Sequence, residues 1–175
     1  MAEKFAAQRG GLAAVEFALL LPFMLLLYLG SFEICQAISV KRQVALTAST
    51  VANIVTQYAS ISATNDLPDI LNASATVLAP YSSSSAVVTV SLVGVDNSGN
   101  ARVTWSQSLH GTARQVGQSV SLPSGLNAPN TNLVLGETTY PYAPLMDFMH
   151  MGTISLYSSI YMLPRSSSGT IALTP

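Results

Sequence analysis

Apolar positions change their rhythm along this chain. From Leu12 to Phe32 they run almost unbroken, with Glu16 the only charge and no polar face at helical spacing. As an α-helix those 21 residues rise about 31 Å, close to the ~30 Å of a hydrocarbon core. The core helix of a soluble protein would show a polar stripe, so the run reads as a membrane span, bounded at residues 12–39. Pro22 removes one backbone hydrogen bond inside it and predicts a kink, which membrane helices tolerate better than soluble ones.

Past Lys41-Arg42 the period becomes three and four. Val40, Val44, Thr47/Ala48, Val51, Ile54/Val55 and Tyr58 form one face, with Gln43, Ser49, Asn53 and Gln57 between them. No Gly or Pro interrupts Ser31 to Ser60, so the helix is expected to continue, amphipathic over residues 40–60. Measured from Leu12 it would be about 73 Å long. Ile61 to Asp66 reads as a loop. Asp66 is expected to cap a short helix with Pro68 and Asp69 in its first turn. Its apolar face would be Leu67, Ile70, Leu71, Ala75 and Leu78, with Pro80 ending it and Ser82 to Ser85 as a linker.

From Ala86 the period is two. Val88, Val90 and Leu92 point one way, Asp96-Asn97-Ser98-Gly99-Asn100 is turn chemistry, and Ala101, Val103 and Trp105 return on one face. This predicts a β-hairpin. His110 to Asn132 reads as a long loop, and Leu133–Tyr142 and Thr153–Leu163 as two further strands. Tyr140-Pro141-Tyr142-Ala143-Pro144 is stiff and cannot pair through its prolines, so the chain is expected to leave the sheet there. The fold class is α+β, a long N-terminal helix on a roughly four-stranded antiparallel sheet, with residues 61–175 as the domain.

Composition narrows the function. The chain has 175 residues, 49% hydrophobic and 9% charged, with net charge −1, so nucleic-acid binding has no electrostatic footprint. Roughly 130 residues outside the anchor suffice for one modest core. The single cysteine, Cys35, excludes an intrachain disulfide and reads as a small packing residue. Orientation from flanking charge is a near tie, Lys4 and Arg9 against Lys41 and Arg42, tilted by the terminal amine towards a cytoplasmic N-terminus. A signal peptide cut after Ala37 is a competing reading.

Candidate chemistry is sparse. His110 and His150 are forty residues apart without neighbouring ligand types, which argues against zinc. Asp96-x-Ser98-x-Asn100 imitates the start of a calcium loop, but Ala101 and Gln107 stand where Gly and Glu belong, so a polar turn explains it better. There is no nucleophile elbow and no phosphate loop. No catalytic residue, cofactor, metal or small-molecule substrate is expected.

The segment Arg9-Gly10-Gly11-Leu12-Ala13-Ala14-Val15-Glu16-Phe17, followed by the leucine-rich run, is similar to the processing site of type IV prepilins. Glu137-Thr-Thr-Tyr140-Pro-Tyr142-Ala-Pro144, the Trp105-Ser106 strand and the closing Tyr161-Met-Leu-Pro164-Arg165 complete a resemblance to the TadE-like family of tight-adherence pilus systems. Leu163 departs from it, since many relatives carry a basic residue there. The second glycine leaves the cut after Gly10 or Gly11.

The resemblance implies a pilin-like fold and a leader over residues 1–11, cut between Gly11 and Leu12 by a prepilin peptidase. It implies assembly or recognition roles for Glu16 and Phe17. Partners would be that peptidase, other pilins, the assembly platform and membrane lipid. The protein would be a minor pilin, single-pass in the inner membrane with its C-terminal domain periplasmic, and incorporation in an extracellular pilus is open. The alternatives are a permanently anchored periplasmic scaffold or binding module, and a secreted domain released by signal peptidase.

Overall fold

A computed structural model describes residues 2–144 and 152–175, with backbone alone for residues 2–11. One helix, α1, runs Ala2–Val55 and carries Pro22 and the Gly10-Gly11 pair without interruption. Its 54 residues rise about 81 Å. It stops five residues short of the expected Ser60, in a tightened last turn where Gln57 N–H donates to the Ile54 carbonyl and Tyr58 N–H to that of Val55.

Next come β1 (Ser60–Ser62), α2 (Asp66–Ala75), β2 (Val87–Val95), β3 (Ala101–Leu109), β4 (Ser119–Val120), β5 (Asn132–Tyr142), β6 (Ile154–Met162) and β7 (Ala172–Thr174). The main sheet has five strands in the order β4-β3-β2-β5-β6, and all its pairings are antiparallel. β1 and β7 form a separate parallel pair. Helix on sheet is the expected α+β, pilin-like arrangement. The extra strands, β1, β4 and β7, have two or three residues each, too short for an alternating pattern to register.

Asn65, not Asp66, occupies the cap position of α2. Asp66 is the first helical residue and its carboxylate accepts a hydrogen bond from Ser62 N–H at 2.8 Å, tying helix to β1. The apolar face is as expected: Leu67, Ile70, Leu71 and Ala75 are buried, and Leu78 follows in a short 3-10 turn.

The half of α1 beyond Val40 lies on one face of the sheet. Val51, Ala52 and Val55 pack with Val88, Val90, Leu92, Trp105 and Val134, joined by Leu67, Ile70 and Leu71 of α2. The opposite face has its own core of Val93, Val95, Ala101, Val103, Val120, Leu133 and Leu135, closed by Leu122 and Leu126 from the loop. Trp105 therefore does not share a face with Ala101 and Val103, contrary to the period-two reading. β3 holds one extra residue, Thr104, between the Leu92–Trp105 and Val93–Val103 pairs. That bulge turns Trp105 to the helix side. There its indole N–H donates to the Ile171 carbonyl at 3.0 Å.

Candidate functional site

The chain's exposed apolar surface is concentrated on the first half of α1. Side chains from Leu12 to Tyr28 are all exposed, Glu16 and Phe17 among them. Contact with the domain begins near Leu29 and is complete at Val40, Val44, Thr47, Ala48 and Val51. The amphipathic pattern read beyond Lys41 is thus the stripe under the sheet, and the unpatterned run before it is exposed from Leu12 to Tyr28 among the described residues. From Leu12 onward the helix is long and apolar enough to cross a membrane, with none of its most apolar window buried. Gly11 and Leu12 lie within continuous helix.

At the base of the domain, where α1 emerges, β5 delivers Tyr140 and Tyr142 against the helix. The expectation that the Tyr-Pro-Tyr segment leaves the sheet is wrong. β5 continues through Tyr142, with Pro141 opposite Ser155 and Tyr142 opposite Ile154 of β6. The proline is tolerated because β2 begins only opposite Thr139, so Pro141 has a strand on one side alone. Tyr140 and Tyr142, with Tyr81 and Leu156, pack on Val40, Val44, Leu78 and Ala86. The rings of Tyr81 and Tyr140 are 6.5 Å apart at 56°. Phe32, Glu33 and Gln36 complete a cavity of about 310 Å³ beside them. Burial first, then the charge of Glu33 and the neighbouring Tyr81, push the Tyr142 phenol above its ordinary pKa. Pro144 follows at the end of the strand, half-buried.

The face of β5 away from the helix carries a second polar centre. Glu137 accepts two parallel hydrogen bonds from Arg114, Nε to Oε2 and Nη2 to Oε1, each 2.7 Å. The Tyr157 hydroxyl adds a third to Oε1 at 2.7 Å. Burial alone would raise the Glu137 pKa, but these hydrogen bonds and the Arg114 charge outweigh it and hold the carboxyl below its ordinary value. The fork fixes the 110–118 loop on the sheet, and Arg114 N–H donates to the Ser106 hydroxyl nearby. The cavity there, about 230 Å³, is lined by Val87, Thr89, Thr112 and Thr139. Donors and acceptors of the ion pair satisfy one another, which is the arrangement of a structural clamp.

The closing motif grips the top of α1. Arg165 N–H donates to the Thr56 carbonyl and its guanidinium to Asn53 Oδ1, both at 2.8 Å. α1 has no basic residue in its own last turn, so Arg165 supplies the cation favoured at a helix C-terminus. Tyr161 reaches the Ser121 carbonyl, a long bond at 3.4 Å, and Pro164 lines a shallow hollow with Leu163.

The motif residues Glu137, Tyr140, Tyr142 and Arg165 thus do not converge on one site. They are spread along the sheet, at the clamp, the base and the top. Sequence reasoning missed Arg114, Tyr157, Tyr81 and Glu33 as their partners. A signal for Arg114 was present: a lone Glu inside an uncharged strand calls for a cation, and only Arg102, Arg114 and Arg165 follow Arg42. The calcium-loop imitation is a turn, with the Asp96 carboxylate accepting from Ser98 N–H, Asn100 N–H and the Asn100 amide. His110 Nδ1 lies 3.1 Å from the Ala86 carbonyl, and His150 lies outside the described residues. Among the described residues no three metal-ligating side chains cluster.

Residues 11–53 match the family model described as TadE-like protein. The match begins at the glycine before Leu12, takes in Glu16 and Phe17, and ends at Asn53, the residue that Arg165 holds. It does not extend into the sheet. No curated protein and no solved structure matches the chain.

Proposed function

With α1 TadE-like over residues 11–53, we propose that this chain is a minor pilin that serves assembly of a tight-adherence pilus. The observation that carries the reading is the division of α1. Its second half beds on its own sheet, while Leu12 to Tyr28 form an apolar rod, broken only by Glu16, that stays exposed among the described residues. Such a surface needs lipid or other apolar helices around it. Both are what a pilin helix meets, first in the inner membrane and then in a bundle.

In this reading the prepilin peptidase removes residues 1–11 and leaves Leu12 with a free amine. The span lies within 12–39, the domain is periplasmic, and the partners are other pilins and the assembly platform. The role is structural, not catalytic. Glu16 sits four residues from Leu12, about 6 Å along the axis. An unpaired charge among packed helices is costly, so pairing of Glu16 with the Leu12 amine, its own or a neighbour's, sets axial register. Capture of other pilins by the Glu16→Ala protein tests this. Loss of capture with normal membrane insertion supports the role, and undiminished capture removes it.

A further inference from the structure

We propose that a second copy of this chain, upright in the same membrane, extends the sheet by pairing residues 105–109 of its β3 with residues 158–162 of β6. Among the described residues nothing pairs with the outer edge of β6, which closes the strand order β4-β3-β2-β5-β6. That edge carries none of the usual protections. Ile154–Met162 contains no charge and no proline, and its pairing with β5 runs without a bulge. A long strand left open in this way recruits another, because a row of backbone N–H and C=O groups stays unpaired. Ile154, Leu156, Ile160 and Met162, on its helix side, are only half-buried, so an added strand also covers apolar surface.

The opposite edge of the sheet is closed only at its top. β4 pairs with Ala101 and Arg102, and Gly117 and Gln118 hold the Val103 backbone. Below them, residues 104–109 carry no charge and have no strand on that side among the described residues. The loop that follows turns over the outer face, where Gly111 lies against Val87 and Arg114 reaches Glu137.

Direction, level and facing select the second copy as the occupant. β5 runs down to the base at Tyr142, so β6 runs up from it, and β3 runs down. A second chain anchored in the same membrane therefore brings its β3 antiparallel to β6. Across the sheet Trp105 is level with Leu92, Val134 and Met162, and Leu109 with Val88, Thr138 and Ser158. Two copies at equal depth thus set Trp105 beside Met162, Gln107 beside Ile160 and Leu109 beside Ser158, all on the helix side. The ends fit as well. β6 stops at Met162, from where the chain turns away to place Arg165 on α1, and β4 of the second copy begins just above that level. A β6 strand could meet its own twin antiparallel only by inverting one chain, which a shared membrane forbids. The contact is heterologous, so each added copy presents a fresh β6 edge and the row can grow.

The inference rests on the membrane-anchored reading, and one experiment separates the two. Full-length chains carrying Cys35→Ser, Ser108→Cys and Ser159→Cys are reconstituted in phosphatidylglycerol vesicles, floated and oxidised with copper-phenanthroline. Ser108 and Ser159 lie level on the outer face, three strand spacings or about 14 Å apart within one chain, too far for a disulfide. Between copies they become neighbours. The expected result is flotation with a ladder of disulfide-linked dimers, trimers and higher species, absent from each single-cysteine chain. Gln107→Cys with Ile160→Cys reads the same register from the helix side. Absence of a ladder from both pairs in floated protein overturns the sheet extension and leaves the anchor standing. An equal ladder from Ser108→Cys with Ser155→Cys, which the register holds about 13 Å apart between copies, does the same. Failure to float overturns both.

Discussion

Gly136 of β5 lies directly against the backbone of Ala48 in α1. A side-chain methyl at Gly136 would run into the Ala48 carbonyl oxygen, 3.0 Å from the Ala52 Cβ and 3.2 Å from a Val51 methyl. A residue with a side chain would not allow so close an approach of helix to sheet at this point, and neither backbone can yield without shifting its element. The contact fixes the depth at which the long helix beds on the sheet.

Gly136→Ala is therefore expected to destabilise the domain by about 1–3 kcal/mol through overpacking. The single tryptophan, Trp105, is buried on the same side of the sheet, so its fluorescence during urea unfolding reports the change. A midpoint equal to that of the parent protein would mean that helix and sheet are not in contact there.

Much of this fold was legible because its long elements have clean periods. The apolar run, the three-and-four spacing from Val40 to Val55 and the alternation of Val88, Val90 and Leu92 each identify an element and its buried face. The failures are local and physical. Trp105 changed face because a single inserted residue, Thr104, is invisible to a period count. Pro141 stayed in its strand because only one neighbour flanks it, a fact of topology rather than sequence. The partners of Glu137, Tyr142 and Arg165 come from segments 23, 61 and 112 positions away. No local pattern encodes such pairings.

The Arg114–Glu137 fork makes stability depend on acid. Glu137 titrates below its ordinary value of 4.5 in the folded chain, so its contribution is complete above that pH and is lost as pH falls through the lowered value. Glu137→Gln should lower stability by about 1–3 kcal/mol at neutral pH, the range for losing charge-assisted hydrogen bonds. The variant should also show a shallower loss of stability below about pH 4.5 than the parent protein. Urea midpoints from pH 7 to pH 3 give both quantities, and parallel curves for the two proteins would exclude the clamp.

Thr138, next to that clamp but on the helix side, is fully buried, and its hydroxyl has no hydrogen-bond partner among the described residues. Burying an unsatisfied hydroxyl costs about 1–3 kcal/mol on mutational scales. Thr138→Val keeps the branched shape and removes the hydroxyl, and it is expected to raise the thermal midpoint. A lowered midpoint would show that the hydroxyl is satisfied after all.

Glu16 is expected to matter for association more than for insertion, because an uncharged side chain enters lipid more easily than a carboxylate. Glu16→Ala should reach the membrane fraction in parent amounts yet fail to co-purify with other pilins. Glu16→Asp, with a shorter reach, should capture an intermediate amount. Equal capture by all three proteins would leave Glu16 a bystander at the membrane edge.

The first residue of the mature chain separates a processed pilin from an anchored scaffold and from a secreted domain. Intact-mass and N-terminal peptide analysis of the membrane-bound protein, with and without the pilus peptidase, reads this directly. Leu12 as the first residue when the peptidase is present, and an uncut leader when it is absent, is the predicted result. A leader retained in the presence of the peptidase, or a soluble product starting near Ile38, would contradict it.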